Sequence, residues 1–229
     1  VRVAAALAMR RKRDPGIALF LNDSDEAISR EAARAIHDLP IAPAMPGLAR
    51  RITQLRFTAG TGRRIVNAAY LQGNAASARG LAEFASNDLV SEEQRVDALD
   101  ALDNWMTPLP VDRVTGRSRE ISLRRDGPAA SEHLDPYLAR LMFTGSINVR
   151  IAAARAATAL DMKQAEEYFE GIASDRTTNV ALRIACLEGL AAFSSSLLPQ
   201  ALTAALADPS PDMAAAARAI QARAADGAE

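Results

Sequence analysis

The chain has 229 residues, is 49% hydrophobic but only 4% aromatic, and carries a formal charge of -1 at pH 7. A near-neutral balance argues against a dedicated nucleic-acid binder, because phosphate neutralisation leaves a basic excess on at least one face. No run approaches the ~18 apolar residues that cross a bilayer, and Cys186, read as a small core residue, is the only cysteine, so no internal disulfide can form.

With so few rings the interior must come from Ala, Leu, Ile and Val, which suits closely packed helices. The chain opens at Val1 inside a helical pattern, and we expect a piece of a longer protein. Its first phrase, VRVAAAL at 1–7, places small residues and then a larger apolar one after an arginine. The phrase returns as SREAARAI at 29–36, RRIVNAAYL at 63–71, QRVDALDAL at 94–102, VRIAAARAA at 149–157 and LRIACLEGL at 182–190. A decayed copy, MAAAARAI, stands at 213–220. Spacings between Arg2, Arg30, Arg64, Arg95, Arg150 and Arg183 are 28, 34, 31, 55 and 33 residues, so all but one gap sits near one period.

Before most copies lies a second apolar segment ending in Asp: IALFLND at 17–23, GLAEFASND at 80–88, EYFEGIASD at 167–175 and LTAALAD at 202–208. The unit is a helix (A-type), a short turn and a second helix (B-type). Small residues at i, i+3 and i+4 of the B-type helix let neighbouring backbones approach, as with Val149, Ala152, Ala153, Ala156 and Leu160 on one stripe. The Asp can accept amide hydrogens at the start of the following helix or pair with an arginine. SEEQ at 91–94 fits a capping box with Ser91 and Gln94, and TAGTG at 58–62 reads as a turn before a helix.

This phrase, with Asp in the turn and Val-Arg early in the second helix, resembles the HEAT family, including its PBS-lyase-like members. The expected fold is all-α: a right-handed α-α superhelix, a HEAT-like solenoid, of about thirteen helices, seven B-type and six A-type. It is one array over residues 1–229 with a long irregular insertion at 105–130. The resemblance implies a ladder of structural residues, Asp23, Arg30, Asp88, Arg95, Arg150, Asp175 and Arg183, which stops where Ala214 replaces arginine. The alternative is that these arginines line a concave face and bind anions.

The one irregular spacing holds WMTPLPVDRVTGRSREISLRRDGPAA at 105–130, where Pro108, Pro110, Gly116, Gly127 and Pro128 forbid a continuous helix. It carries the only tryptophan, Trp105, and Arg113, Arg117, Arg119, Arg124 and Arg125. Aromatic and arginine side chains are enriched at interface hot spots, which makes these six candidate interaction residues. The other reading has Trp105 on the core and the arginines capping carbonyls or pairing with Asp112, Glu120 and Asp126. The stretch LDNWMTPLPVDRVTGRSRE at 102–120 is similar to a segment of large bacterial proteins described as membrane-bound dehydrogenases, which also carry a propeller and a c-type cytochrome domain. That resemblance implies an exported or periplasmic parent; without it the expectation is cytoplasmic.

No haem-attachment motif, phosphate-cradling loop or nucleophile elbow occurs, and His37 and His133 stand apart without metal-ligand spacing, so we expect neither metal nor cofactor. Both histidines read as surface or capping residues. Asp100 and Asp103 read as a solvated helix face. The chain is therefore expected to be no enzyme but a protein-protein interaction or scaffold module, with protein as partner, no nucleic acid and no membrane insertion by this segment. The alternatives are a bilin-lyase-like or DNA-glycosylase-like module and a passive spacer.

Overall fold

The computed structural model describes residues 1–54, 57–119, 121 and 125–226, and their regular structure is helical. Among the described residues the only extended pairing is one bridge between Val111 and Ser118. The B-type helices are α1 (Arg2–Lys12), α2 (Glu26–Asp38), α4 (Ala59–Gln72), α6 (Glu92–Asp103), α8 (Ile147–Ala159), α10 (Val180–Ala192) and α12 (Pro211–Asp226). The A-type helices are a 3-10 helix at Pro15–Asn22, then α3 (Met45–Ala49), α5 (Ala75–Ser86), α7 (Gly127–Thr144), α9 (Glu166–Ser174) and α11 (Leu198–Leu206). These make the thirteen expected; short 3-10 turns flank α3 and precede α9.

Each B-type helix stacks on the next, α1 on α2, α2 on α4, α4 on α6, α6 on α8, α8 on α10 and α10 on α12. Each from α2 onward also packs on its own A-type partner, so one apolar cluster runs from Ile17 to Ile220 along the stack. No hairpin buries its seam alone, which is why the array depends on its neighbours. The stripe Val149, Ala152, Ala153, Ala156 and Leu160 is buried throughout, as is Cys186, whose thiol is pushed up to about 12 by burial.

Close approach is strictest at Gly189 of α10, where an added Cβ would stand 2.3 Å from Phe169 Cε2 and 2.7 Å from Thr158 Oγ1. Stops are less visible. Helices α1, α8 and α10 end in a left-handed residue, Arg13 (φ 51°), Asp161 (φ 51°) and Ser194 (φ 53°). In each the following amide reaches back five residues, Asp14 to Met9, Met162 to Ala157 and Ser195 to Leu190, at 2.9–3.0 Å. None is glycine, so the shared stop leaves no mark in the sequence.

Several local expectations are corrected. Residues 59–62 are the first turn of α4 rather than a loop, because Thr58 already stands at its N-cap. Ser91 caps α6 without a side-chain bond, and Gln94 turns away to Phe57 O and Thr58 O, both at 3.4 Å. The first A-type segment winds as a 3-10 helix behind Pro15, with Asp14 accepting from Gly16 N at 2.8 Å. The non-helical part of the insertion ends at Asp126, which caps α7 through Ala129 N at 3.0 Å, so 127–130 belong to that helix.

Two glycines separate packing from propensity. Gly189→Ala should lose about 1–3 kcal/mol in urea unfolding through overpacking. Gly171→Ala in α9, where no atom lies within 4 Å of the added carbon, should gain about 0.5–1 kcal/mol.

Candidate functional site

The insertion doubles back as a strap across α2, α4 and α6, and Asp112 ties it down. Its Oδ1 accepts from Val114 N (3.0 Å), Thr115 N (2.8 Å) and Thr115 Oγ1 (3.0 Å), which closes a tight turn ending at Gly116 (φ 67°). Its Oδ2 accepts from Asn67 Nδ2 on α4 at 3.0 Å and pairs with Arg119 Nη1 at 2.9 Å. Asp112 is only 1% exposed. Its carboxyl lies below the usual carboxylate range: burial opposes ionisation, but the Thr115 amide, His37, Arg119 and the Val114 amide together outweigh it.

His37 is the second anchor, and its expected surface place is corrected. The ring is wholly buried, with Nδ1 2.9 Å from Asp38 Oδ1 and Nε2 2.8 Å from Asn67 Nδ2. Asp112 needs the Asn67 amide as donor, so the histidine is the neutral tautomer with its proton on Nδ1. Burial pushes its pKa below 6.5 against the pull of Asp38 and Asp112, and Arg119 adds to the lowering. Asp38 is held in turn by Arg64, Nε at 3.0 Å and Nη2 at 2.8 Å. Arg119 also donates to the His37 carbonyl at 2.7 Å, across 82 residues of sequence.

At the strap's root Trp105 is wholly buried and donates from Nε1 to Asp126 O at 3.0 Å. Arg125 lies 4.2 Å over the Tyr70 ring and 4.4 Å over the Trp105 ring, and donates to Tyr70 O, where the last carbonyls of α4 run out of intrahelical donors. Arg113 is half-buried, 3.8 Å from Asp100, while Arg117 is exposed. Arg124 and Glu120 lie outside the described residues. So Trp105, Arg119 and Arg125 face the protein's own backbone, and Arg113 and Arg117 stand nearer solvent.

Three of the repeating arginines share one geometry. Nε donates to a carbonyl near the end of the preceding A-type helix: Arg95 to Ala85 (2.8 Å), Arg150 to Met142 (2.6 Å) and Arg183 to Ala173 (3.0 Å). Arg95 also meets Asp88 at 3.0 Å, and Arg183 meets Asp208 of the next repeat at 2.6 Å. Arg2 reaches Asp23 at 3.6 Å, again one repeat ahead. Asp175 instead closes its turn on Thr177 and Thr178, which depresses its carboxyl, and Arg30 is exposed on α2. Asp208 is the partner that sequence reasoning left unassigned; its place at the end of LTAALAD was the available signal.

Two concavities adjoin the strap. A cavity of about 140 Å³ is lined by Arg63, Val66, Asn67, Asp97, Asp100, Arg113 and Val114. An acidic groove of about 600 Å³ between α6 and α8 shares Asp97 and Asp100 with it, and adds Glu92, Glu93, Val96, Asn148, Ile151, Ala152 and Arg155. Burial raises the carboxyls of Asp97, Asp100 and Asp103, so the face read as solvated is partly desolvated. Among the described residues no group of three potential metal ligands converges, and no helix is long and apolar enough to cross a membrane.

No family model matches the chain, and no curated protein matches it. Among solved structures an engineered protein superposes with a TM-score of 0.59 at 15% identity, over 89% of this chain and 93% of that one. That likeness supports the all-helical repeat fold. Human deoxyhypusine hydroxylase in complex with glycerol aligns over 95% of this chain and 88% of its own (16% identity, TM-score 0.38). The CpcE and CpcF complex of phycocyanin lyase from Nostoc sp. PCC7120 aligns over 90% and 92% (19% identity, TM-score 0.32). The expectation that the chain is no enzyme is corrected on this point: the solved structures that align with it include a hydroxylase and a lyase.

Removing the Asp112 carboxylate strands Arg119 and Asn67. Asp112→Ala should cost about 3 kcal/mol and speed tryptic cleavage after Arg113 and Arg117 by about 100-fold. His37 sets a pH dependence. Its folded pKa lies below the unfolded 6.5, so the unfolded chain takes up the proton first. The stability it confers is complete above that value and is lost as pH falls below it. Urea titrations of the wild type from pH 8 down to about 5 should decline relative to His37→Asn, which lacks that component.

Proposed function

We propose that the chain is a scaffold module, one array over residues 1–229, that holds a basic polypeptide segment on its B-type helix face beside the strap. The observation that carries this reading is the groove between α6 and α8. Val96, Ile151 and Ala152 form its apolar part, while Glu92, Glu93, Asp97 and Asp100 share the rest with Arg155; Asp97 and Asp100 also meet Arg63 and Arg113 from the neighbouring cavity, which leaves Glu92 and Glu93 as the outward acidic pair. Stacked hairpins create extended surfaces of this kind. Partly desolvated carboxylates gain most when a cation arrives, and such complementarity sets orientation and partner choice.

The strap extends this surface. Met106, Leu109 and Val111 are exposed on it, next to the cationic Arg117. On this reading Arg117 stands at the solvent edge of the surface, Arg113 faces Asp100, and Trp105, Arg119 and Arg125 hold the strap in place. Asp23, Arg30, Asp88, Arg95, Arg150, Asp175 and Arg183 set the spacing of the repeats. The similarity of 102–120 to large bacterial dehydrogenase and cytochrome proteins supports a partner within the same polypeptide, in an exported parent.

The reading is tested with arrayed lysine- and arginine-rich peptides followed by fluorescence anisotropy. Glu92 and Glu93 are exposed in the first turn of α6, so charge reversal there leaves the core intact. The doubly reversed Glu92→Lys/Glu93→Lys protein should bind the selected peptides at least about 10-fold more weakly, and wild-type binding should weaken with salt. Equal binding by both proteins, or no selection of basic peptides, would sink the proposal.

A further inference from the structure

Building on the scaffold reading of the acidic groove, we propose that its occupant, when no other partner holds it, is the basic end of α1 of a second copy of this chain. The formal charge of -1 hides a division along the array: residues 1–64 hold twelve basic and six acidic residues, and residues 65–229 hold fifteen and twenty-two. One end is therefore +6 and the remainder -7, and the densest run of cations is Arg10, Arg11, Lys12 and Arg13. Arg10 is engaged with Glu31 of α2. Arg11, Lys12 and Arg13 are exposed, and Arg13 takes a left-handed conformation (φ 51°) as the chain leaves the helix. Leu7, 40% exposed, stands one turn before Arg11 on the same helix face.

The groove between α6 and α8 offers the complement. Glu92 and Glu93 are exposed at the start of α6, and Val96, Ile151 and Ala152 supply apolar surface beside them. A run of like charges repels itself and is drawn to a surface of the opposite sign. Within one copy the two features do not meet, because α2 and α4 stand between α1 and α6 in the stack. Two copies satisfy both at once: a two-fold pair puts each basic end in the other's groove, so every contact is made twice. Contacts of this kind steer encounter and fix register more than they add affinity, so the association is reversible and sensitive to salt.

Sedimentation equilibrium of the whole chain is the test. In low salt the mean mass should rise from that of one chain toward that of two as the protein concentration reaches about 100 µM, and it should fall back in about 0.5 M salt. The triple reversal Arg11→Glu/Lys12→Glu/Arg13→Glu and the double reversal Glu92→Lys/Glu93→Lys should each weaken pairing at least about 10-fold. Mixed in equal amounts, the two variants should pair again, because both contacts then join opposite charges. Mixing does not mend a damaged fold, so this rescue separates lost contacts from lost structure. A basic peptide selected on the groove should dissociate the wild-type pair. A monomer at every concentration, pairing indifferent to either reversal, loss without rescue, or a pair that the selected peptide leaves intact would overturn the second copy as occupant. If the wild type is monomeric yet binds basic peptides that the Glu92→Lys/Glu93→Lys protein loses, the scaffold reading stands alone; if it binds none, both fail.

Discussion

Every feature of this chain depends on how closely one B-type helix can approach the next. Alanine at successive positions of α8 and glycine at 189 of α10 remove the side-chain volume that would hold the layers apart, and Leu, Ile and the few rings fill what remains. With aromatics so scarce, burial is spread over many small contacts rather than a few large ones. The array is therefore sensitive to added volume at the seams and tolerant of change on its outer turns.

Three arginines tie the two helices of a hairpin to each other. Arg95, Arg150 and Arg183 place Nε on a carbonyl of the preceding A-type helix, satisfying acceptors that a helix end leaves open. The Arg183–Asp208 pair is nearly inaccessible and joins one repeat to the next. A buried pair of this kind contributes orientation more than net stability, because desolvation of both charges offsets much of their attraction.

The strap is where the repeat pattern is broken. By crossing α2, α4 and α6 it turns three similar helices into a distinct surface, with Asp112, Asn67, His37 and Arg119 as its internal lock. Its Arg113 and Val114 line a polar cavity, and Asp97 and Asp100 of α6 are shared between that cavity and the acidic groove between α6 and α8.

The sequence by itself determined the helical class, the pairing, the number of helices and the place of the interruption. Those properties follow from periodicity and from proline and glycine, which act within a few residues. It also marked Trp105 and the arginines at 113–125 as unusual residues. Only the tertiary structure decided what they touch. His37 and Asn67 look unremarkable in their own helices, and Asp112 is one turn-forming aspartate among many. Their burial arises because a strap 45 residues beyond Asn67 returns to meet it. The left-handed stops at Arg13, Asp161 and Ser194 were illegible because none of the three is glycine. Local rules fix the elements of a repeat protein, whereas long-range closure decides which polar atoms lose water and so where a site can form.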